Sequence, residues 1–306
     1  MQVMLLGTAA GGGFPQWNCW CPTCRVARDE PARAHPRSQS SIAFSADGVR
    51  WFLANASPDV REQLARLPRS ALTGDASSIR HVPIEGILLT DAELDHSLGI
   101  ALLREGRHLQ ILATGAVLGT LERDSRLLPV TRAFAQLDIV TLALEQDAEL
   151  SYRDGTASGL VVRPFAVSGD PPRFARDDEP GHTVGLEITD RATSSRCTFL
   201  PGCGALDAAL LDRLARADLL LFDGTFWSED ELIALGISER TATQIGHTPV
   251  SGPAGTLLRL AALPARQKVY THINNTNPML LESSDERRAV ERAGLTVGDD
   301  GMCFSL

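Results

Sequence analysis

Three short apolar runs in this chain each end in a residue able to hold a metal ion or a proton. Ile84-Glu85-Gly86-Ile87-Leu88-Leu89 leads into Thr90-Asp91-Ala92-Glu93-Leu94-Asp95-His96, residues 219–222 (LLLF) end in Asp223, and residues 269–271 (VYT) end in His272. Runs this short, bounded by polar residues, read as buried strands. A polar side chain just beyond a buried strand lies at a sheet edge, where loops gather and sites are built. The same ending repeated around one fold predicts convergence on a cleft.

Further strands are expected at 3–6, 41–44, 51–54, 84–89, 109–113, 160–167, 183–188, 198–200 and 302–306. Helices are expected at 58–67, 94–105, 116–123, 207–215, 228–235, 252–263 and 284–293. Strands and hairpins come first, a mixture of strands and helices follows, and the two halves look alike. That order suits an α/β sandwich, two sheets face to face with helices outside, better than a doubly wound parallel sheet. At 306 residues the chain is within range of one large sandwich, and residues 1–306 are taken as a single domain. Residues 169–182, GDPPRFARDDEPGH, read as a surface loop able to act as a lid.

Composition narrows the functional classes. The net charge of −9 argues against a nucleic-acid partner, which needs a basic face. No apolar run reaches the roughly 20 residues of a membrane span, and the opening MQVMLLGTAAGGG lacks the basic start of an export signal. A cytoplasmic location follows as the expectation, and disulfides are rare there.

Asn18-Cys19-Trp20-Cys21-Pro22-Thr23-Cys24 therefore reads as metal chemistry. Three thiolates on one tight turn supply most of a tetrahedral zinc shell. Buried free cysteines and an iron–sulfur cluster are the alternatives, and the cluster would need a fourth cysteine nearby. Such a site is expected to be closed and structural, holding the Gly11-Gly12-Gly13 loop against the core. The loop 7–13 lacks the spacing of a phosphate cradle and reads as backbone that must approach something closely.

Thr90 and Glu93 have the T-x-x-E spacing of a capping box, and Leu94, Leu98 and Leu102 recur at helical spacing. The segment from Asp91 to His96 is thus either a cap or a metal site. His272, followed by Ile273-Asn274-Asn275-Thr276-Asn277, and Asp223 with Gly246-His247-Thr248, tip the balance toward a metal site.

The stretches GTAAGGGFPQWNCWCPTC, NASPDVR, LLTDAELDHSLGIALLREG, LPGCG, DGTFW, THINNTNPML and DGMCFSL resemble the PqqB family. The likeness runs nearly end to end. It implies the metallo-β-lactamase fold, an αββα sandwich of two mixed sheets with outer helices, and a place in pyrroloquinoline quinone (PQQ) synthesis. The wider superfamily carries the motif H-x-H-x-D-H. Here the matching positions read Asp91, Glu93, Asp95 and His96. The superfamily's next metal histidine would fall near Val167 or Ser168 and its bridging aspartate near Gly202, and both are missing. His272 keeps the last histidine. The remnant Asp95, His96 and His272 is the two-histidine, one-carboxylate set of non-haem iron oxygenases. Whether Asp91 and Glu93 also touch metal stays open.

The resemblance implies Fe2+- and O2-dependent hydroxylation of the tyrosine moiety of a peptide-derived PQQ precursor. Transport of PQQ or its precursor toward the periplasm, and metal-dependent hydrolysis, are the alternatives. The cysteine run is also similar to that of a phosphonate-pathway phosphodiesterase, in which a histidine completes the zinc shell. That position is Asn275 here, so the fourth ligand of Cys19, Cys21 and Cys24 is Asn275, His35 or water. Asp223 and His247 resemble an acid–histidine pair of a tRNA-processing relative that would move protons or support the metal; a buried aspartate capping a turn and a histidine at a helix start is the alternative. His182 reads as a surface histidine, Trp17, Trp20 and Trp51 as core residues, and Arg104 and Arg107 as exposed arginines, with carboxylate contact as the alternative. The expected cofactors are a structural Zn2+ and an active-site Fe2+. The expected ligand is PQQ or its precursor, and a homodimer is the candidate assembly.

Overall fold

The computed structural model describes residues 1–73 and 79–306. The chain begins with β1 (Gln2–Gly7), β2 (Ser41–Ser45), β3 (Trp51–Ala54), β4 (Ile84–Leu88), β5 (His108–Thr114) and β6 (Gln136–Leu142). It crosses to β7 (Ala148–Ser151), β8 (Ala157–Ala166), β9 (Val184–Asp190), β10 (Arg196–Leu200), β11 (Leu219–Asp223), β12 (Gln267–Thr271) and β13 (Thr296–Val297), then returns as β14 (Cys303–Ser305). One seven-stranded sheet has the order β14-β1-β2-β3-β4-β5-β6, the other β13-β12-β11-β10-β9-β8-β7. In each, antiparallel pairing gives way to parallel pairing, from β3 onward in the first and from β10 onward in the second. The expected sandwich of two mixed sheets is what forms, and the likeness of its halves is this shared pattern.

Alternation along each strand decides which side chains meet. Leu5, Phe44, Phe52 and Leu88 of the first sheet pack on Leu186, Phe199, Leu221 and Val269 of the second. The intervening residues Leu6, Leu53 and Ile87 face outward and share a core with helices α2 (Val60–Leu64), α3 (Arg69–Thr73), α5 (Gly99–Leu102), α6 (Gly115–Gly119) and α7 (Leu127–Arg132), while α4 (Leu94–Ser97) precedes α5 outside that core. On the far side Leu220, Phe222 and Tyr270 are covered by α1 (Pro22–Asp29), α8 (Ala208–Leu214), α10 (Leu257–Ala261) and α11 (Asp285–Arg292), with α9 (Glu231–Ala234) in the preceding loop. Strands covered on both faces read as unbroken apolar runs, which is why LLLF and WFLA stand out.

Three strands outside the sequence expectation, β6, β7 and β13, all lie at sheet edges. Edge strands bury little, so QLDIVTL carries no continuous apolar stretch. The expected helices at 58–67, 228–235, 252–263 and 94–105 are much shorter than foreseen, and the last is broken into α4, α5 and a 3-10 turn at Arg104–Gly106. Its leucines also point the wrong way: Leu94, Leu98 and Leu102 are 50%, 36% and 39% exposed. The buried side is His96, Gly99 and Ile100. Gly99 sets this orientation, because a Cβ there would lie 2.3 Å from the Ser57 carbonyl oxygen, and its N–H donates to the Ala56 carbonyl at 2.8 Å. No helix among the described residues is long and apolar enough to cross a membrane.

Candidate metal centre and cleft

The C-terminal ends of β4, β11 and β12 meet at one edge of the sandwich. Past β4 the capping box does not form. Glu93 is the N-cap of α4 but its side chain makes no capping bond. Thr90 is fully buried, accepts from Asn55 Nδ2 at 2.9 Å and donates to Asp91 Oδ2 at 2.9 Å. Asn55 sits at φ 65° at the end of β3, a left-handed conformation that asparagine tolerates. Asp91 in turn holds the Nδ1 edge of His96, at 2.7 Å. That leaves His96 Nε2 buried and without a hydrogen-bond partner.

Nε2 of His96 lies 3.7 Å from Asp95 Oδ2, and Nε2 of His272 lies 3.5 Å from the same oxygen. An ion with bonds of about 2.1 Å wants its donors roughly 3.0–3.5 Å apart, so only small adjustments separate these atoms from a ligand set. His272 follows β12 at φ 54°. This is an uncommon conformation for a residue with a Cβ, and such backbone clusters at functional positions. Its Nδ1 lies 2.8 Å from Thr225 Oγ1, so both ring edges away from the cleft are tied. Burial opposes ionisation of Asp95, yet the imidazole of His96 and the hydrogen bond to His272 hold it well below the usual carboxylate range. Burial likewise opposes the imidazolium of His96, but the carboxylates of Asp91 and Asp95 outweigh it and raise this group to about 9.

Asp223 and His247 also come to this edge. The Asp223 carboxylate is fully subscribed. Oδ2 receives His247 Nδ1 at 2.7 Å and the Cys203 N–H at 2.9 Å, while Oδ1 receives the Thr225 N–H at 2.9 Å and its hydroxyl at 2.6 Å. It therefore orients His247, whose ring stacks on His272 with centroids 5.4 Å apart. Thr225 links Asp223 to both imidazoles. The sequence reading passed over it, although a hydroxyl two residues beyond a strand-ending acid is the available signal.

A cleft of about 540 Å³ opens over these groups. Gly11 forms part of its wall, and a Cβ there would lie 3.2 Å from Asp95 Oδ2, which explains glycine in a loop that must approach closely. Gly202, at the position expected for a bridging aspartate, leaves its part of the wall bare. Glu93 lies at the rim outside the Asp95–His96–His272 set. Desolvation, with the negative charges of Asp91 and Asp95, pushes its carboxyl up to about 7. Phe174, from the loop foreseen as a lid, also lines the cleft.

Several expectations need correction. Arg104 and Arg107 are exposed, as expected, and the alternative of a substrate contact falls: Arg104 pairs with Glu105 at 3.2 Å and covers Phe134, and neither arginine lines the cleft. The arginines that do line the cleft are Arg173 and Arg240, on loops too irregular for spacing to reveal. His182 is buried, not a surface residue, and contacts Asp177 at 2.8 Å. Trp51 is buried, but Trp17 and Trp20 are 84% and 61% exposed, because the cysteine loop that carries them stands at the surface.

The thiols of Cys19, Cys21 and Cys24 do gather. The run is not only a turn: Cys21 caps α1, Pro22 opens it and Cys24 sits in its first turn, in keeping with proline's fixed φ. The Cys24 S–H shared with Cys21 lowers Cys21 to about 4 against the opposing effect of burial and, with burial, pushes Cys24 up. Asn275 Nδ2 lies 3.3 Å from Cys24 Sγ and 3.7 Å from Cys21 Sγ, and its carbonyl oxygen lies 3.6 Å from Cys21 Sγ. His35 is elsewhere, 3.3 Å from Asp299 and 3.8 Å from Glu282. Cys197 and Cys203 are buried apart from the cluster and Cys303 is exposed on β14. The expected enclosure is incomplete: Cys19 and Cys21 are half-buried, and a second cleft of about 580 Å³ opens beside them, lined by Trp20, Leu232 and Ile237.

Residues 50–273 match the family described as "Beta-lactamase superfamily domain". The coenzyme PQQ synthesis protein B of Gluconacetobacter diazotrophicus is 42% identical over 311 residues, covering 99% of this chain and 98% of that one. The crystal structure of Zn(2+)-bound PqqB from Methylobacterium extorquens superposes with a TM-score of 0.90 at 38% identity, covering 100% of both chains. A diphosphatase of the PhnP family has a TM-score of 0.67 at 18% identity, covering 100% of this chain and 97% of its own, and shares the fold. The chain belongs to the coenzyme PQQ synthesis protein B family, within the β-lactamase superfamily.

Proposed function

We propose that this chain, acting as one domain, works in PQQ synthesis as an Fe(II)- and O2-dependent hydroxylase of the tyrosine moiety of a peptide-derived precursor. The observation that carries the reading is the buried, unpartnered Nε2 of His96, set with His272 Nε2 around Asp95 Oδ2. Two imidazoles and one carboxylate fit a mononuclear iron centre with open positions, and Asp95, His96 and His272 would hold the ion. Such an ion, when bound, supplies activation of O2. Asp91 and Thr225 fix the ring orientations, the role second-shell partners play at metal sites. Asp223 holds His247 beside His272 as a proton-transfer group. Glu93, at the rim, is placed to take a phenolic proton. Asp91 is committed to His96, so it supports a ligand instead of acting as one. A two-metal hydrolase needs a bridging carboxylate, and glycine stands at that position.

Zinc at the second site would be held by Cys19, Cys21 and Cys24. Asn275 would supply the fourth donor through its main-chain oxygen, 3.6 Å from Cys21 Sγ, since the side-chain atom facing the thiols is the amide nitrogen.

The test is anaerobic loading with Fe(II), followed by O2 uptake in the presence of precursor and a two-electron reductant such as ascorbate, because one oxygen atom enters the ring and the other leaves as water. Uptake with a hydroxylated product in the wild type, lost in His96→Ala, is expected. Turnover with zinc alone, or O2 uptake unchanged in His96→Ala, overturns the reading. Precursor or PQQ binding that survives His96→Ala without any turnover in the wild type would favour the carrier function.

A further inference from the structure

The cleft carries two guanidinium groups that the proposed chemistry does not use. Arg173 and Arg240 approach it from separate loops, one after β8 and one after α9. Among the described residues neither forms an ion pair. Their neighbours behave otherwise: Arg176, in the same loop as Arg173, reaches Asp124 at 3.5 Å, and Arg123 reaches Asp177 at 2.9 Å. Arg240 instead donates to the main-chain carbonyl of Gln244, which steadies the guanidinium without neutralising it. The cleft's own carboxylates are mostly engaged, Asp91 with His96 and Asp95 between His96 and His272.

On a chain of net charge −9, two cations without an ion pair facing the same cleft, Arg173 close enough to Glu93 for its charge to favour that carboxylate, mark a place for negative charge on a ligand. Two cations on different loops match two separated single charges better than one compact dianion, which would also meet Asp95 and Glu93. Phe174 and Phe226 line the same cleft and offer ring surface to an aromatic body. We propose that Arg173 and Arg240 bind two separate carboxylates of the substrate and so orient and select it in the cleft. The inference rests on reading this cleft as the substrate site, and it names the residues that select the substrate there.

The test uses the holoprotein loaded with Zn(II), so that binding is read without turnover. Calorimetric titration compares N-succinyl-tyrosine, N-acetyl-tyrosine and N-acetyl-tyrosinamide, which carry two, one and no carboxylates, with inorganic phosphate as a competitor. Each carboxylate is expected to tighten binding about 5- to 10-fold, the scale of a charge-assisted contact at a partly open site. Arg173→Gln and Arg240→Gln should each remove one step of that ladder, leave the amide's affinity unchanged, and keep the zinc content and Tm of the wild type. The double variant should bind all three probes alike. Equal affinities in the wild type, an intact ladder in the double variant, or phosphate outcompeting the succinyl probe would overturn the proposal. A ladder that depends on both arginines, in a protein that takes up no O2 when loaded with Fe(II), would keep the clamp and sink the hydroxylase.

Discussion

Cys19, Cys21 and Cys24 come from one turn and the start of α1, so a single short stretch of chain places three sulfurs. Asp95, His96 and His272 come from the ends of β4 and β12, strands of different sheets. The first cluster needs only local structure and the Asn275 loop that closes over it. The second needs the whole sandwich, and its ring edges are fixed by Asp91 and Thr225. Yet the two share a segment. His272 faces one site and Asn275 the other, and between them Ile273 is clamped to the N-terminal loop through Thr8 and Ala10 at 2.8 and 2.9 Å. A donor set made locally can therefore brace one assembled at long range.

The largest effect should come from His96→Ala. Active-site iron affinity is expected to fall by at least about 100-fold, beyond the range typical of second-shell changes, while zinc at the cysteines and the circular dichroism spectrum persist. Loss of both metals would break the distinction between the sites. Next comes pH. His96 must lose its proton to bind metal, and in the metal-free fold that proton leaves near pH 9. Iron affinity should therefore rise about 10-fold per unit from pH 7 toward 9, seen by titration against a chelator. In the apo protein the sign is opposite. The raised value means that the imidazolium's stabilisation is complete below about pH 6.5 and is lost as pH rises through 9, which melting curves at fixed salt will show.

Asp91→Asn keeps the shape and removes the charge behind His96, so iron affinity should drop about 10- to 100-fold, and the apo protein should melt earlier at neutral pH because the imidazolium loses the carboxylate that stabilises it. An unchanged affinity would show that His96 needs no such support. Cys24→Ser should remove the zinc and lower Tm by roughly 5–10 °C, as expected where metal binding contributes to folding. At the iron site it should cost only a few-fold, through the segment from His272 to Asn275. A loss there as large as that of His96→Ala would mean that the two centres form as one unit.

Much of this was legible in the residues. Apolar runs ending in Asp223 and His272, and the Asp95-His96 pair after another, pointed to one cleft because strands buried on both faces need continuous apolar sequence and must deliver their polar ends to an edge. The cysteine spacing gave the thiol cluster, since neighbours along one turn are neighbours in space. Spacing misled where two physical causes produce the same pattern. Leu94, Leu98 and Leu102 have the period of a buried face, but Gly99 turns the opposite side inward. Thr90 and Glu93 have the spacing of a cap, but Asn55 takes the threonine first.

By itself the sequence determined the class of fold, the strands of the sheet interiors, the thiol cluster and the short list of histidines and acids worth testing. All of these follow from periodicity and local chemistry. Only the tertiary structure decided that Asp91 supports His96, that Thr225 joins Asp223 to two imidazoles, that His35 stands apart from the thiols, and that Arg173 and Arg240, not Arg104 and Arg107, face the cleft. Each depends on contacts between segments far apart in the chain, where side-chain direction is set by packing across two sheets and not by any neighbour in sequence.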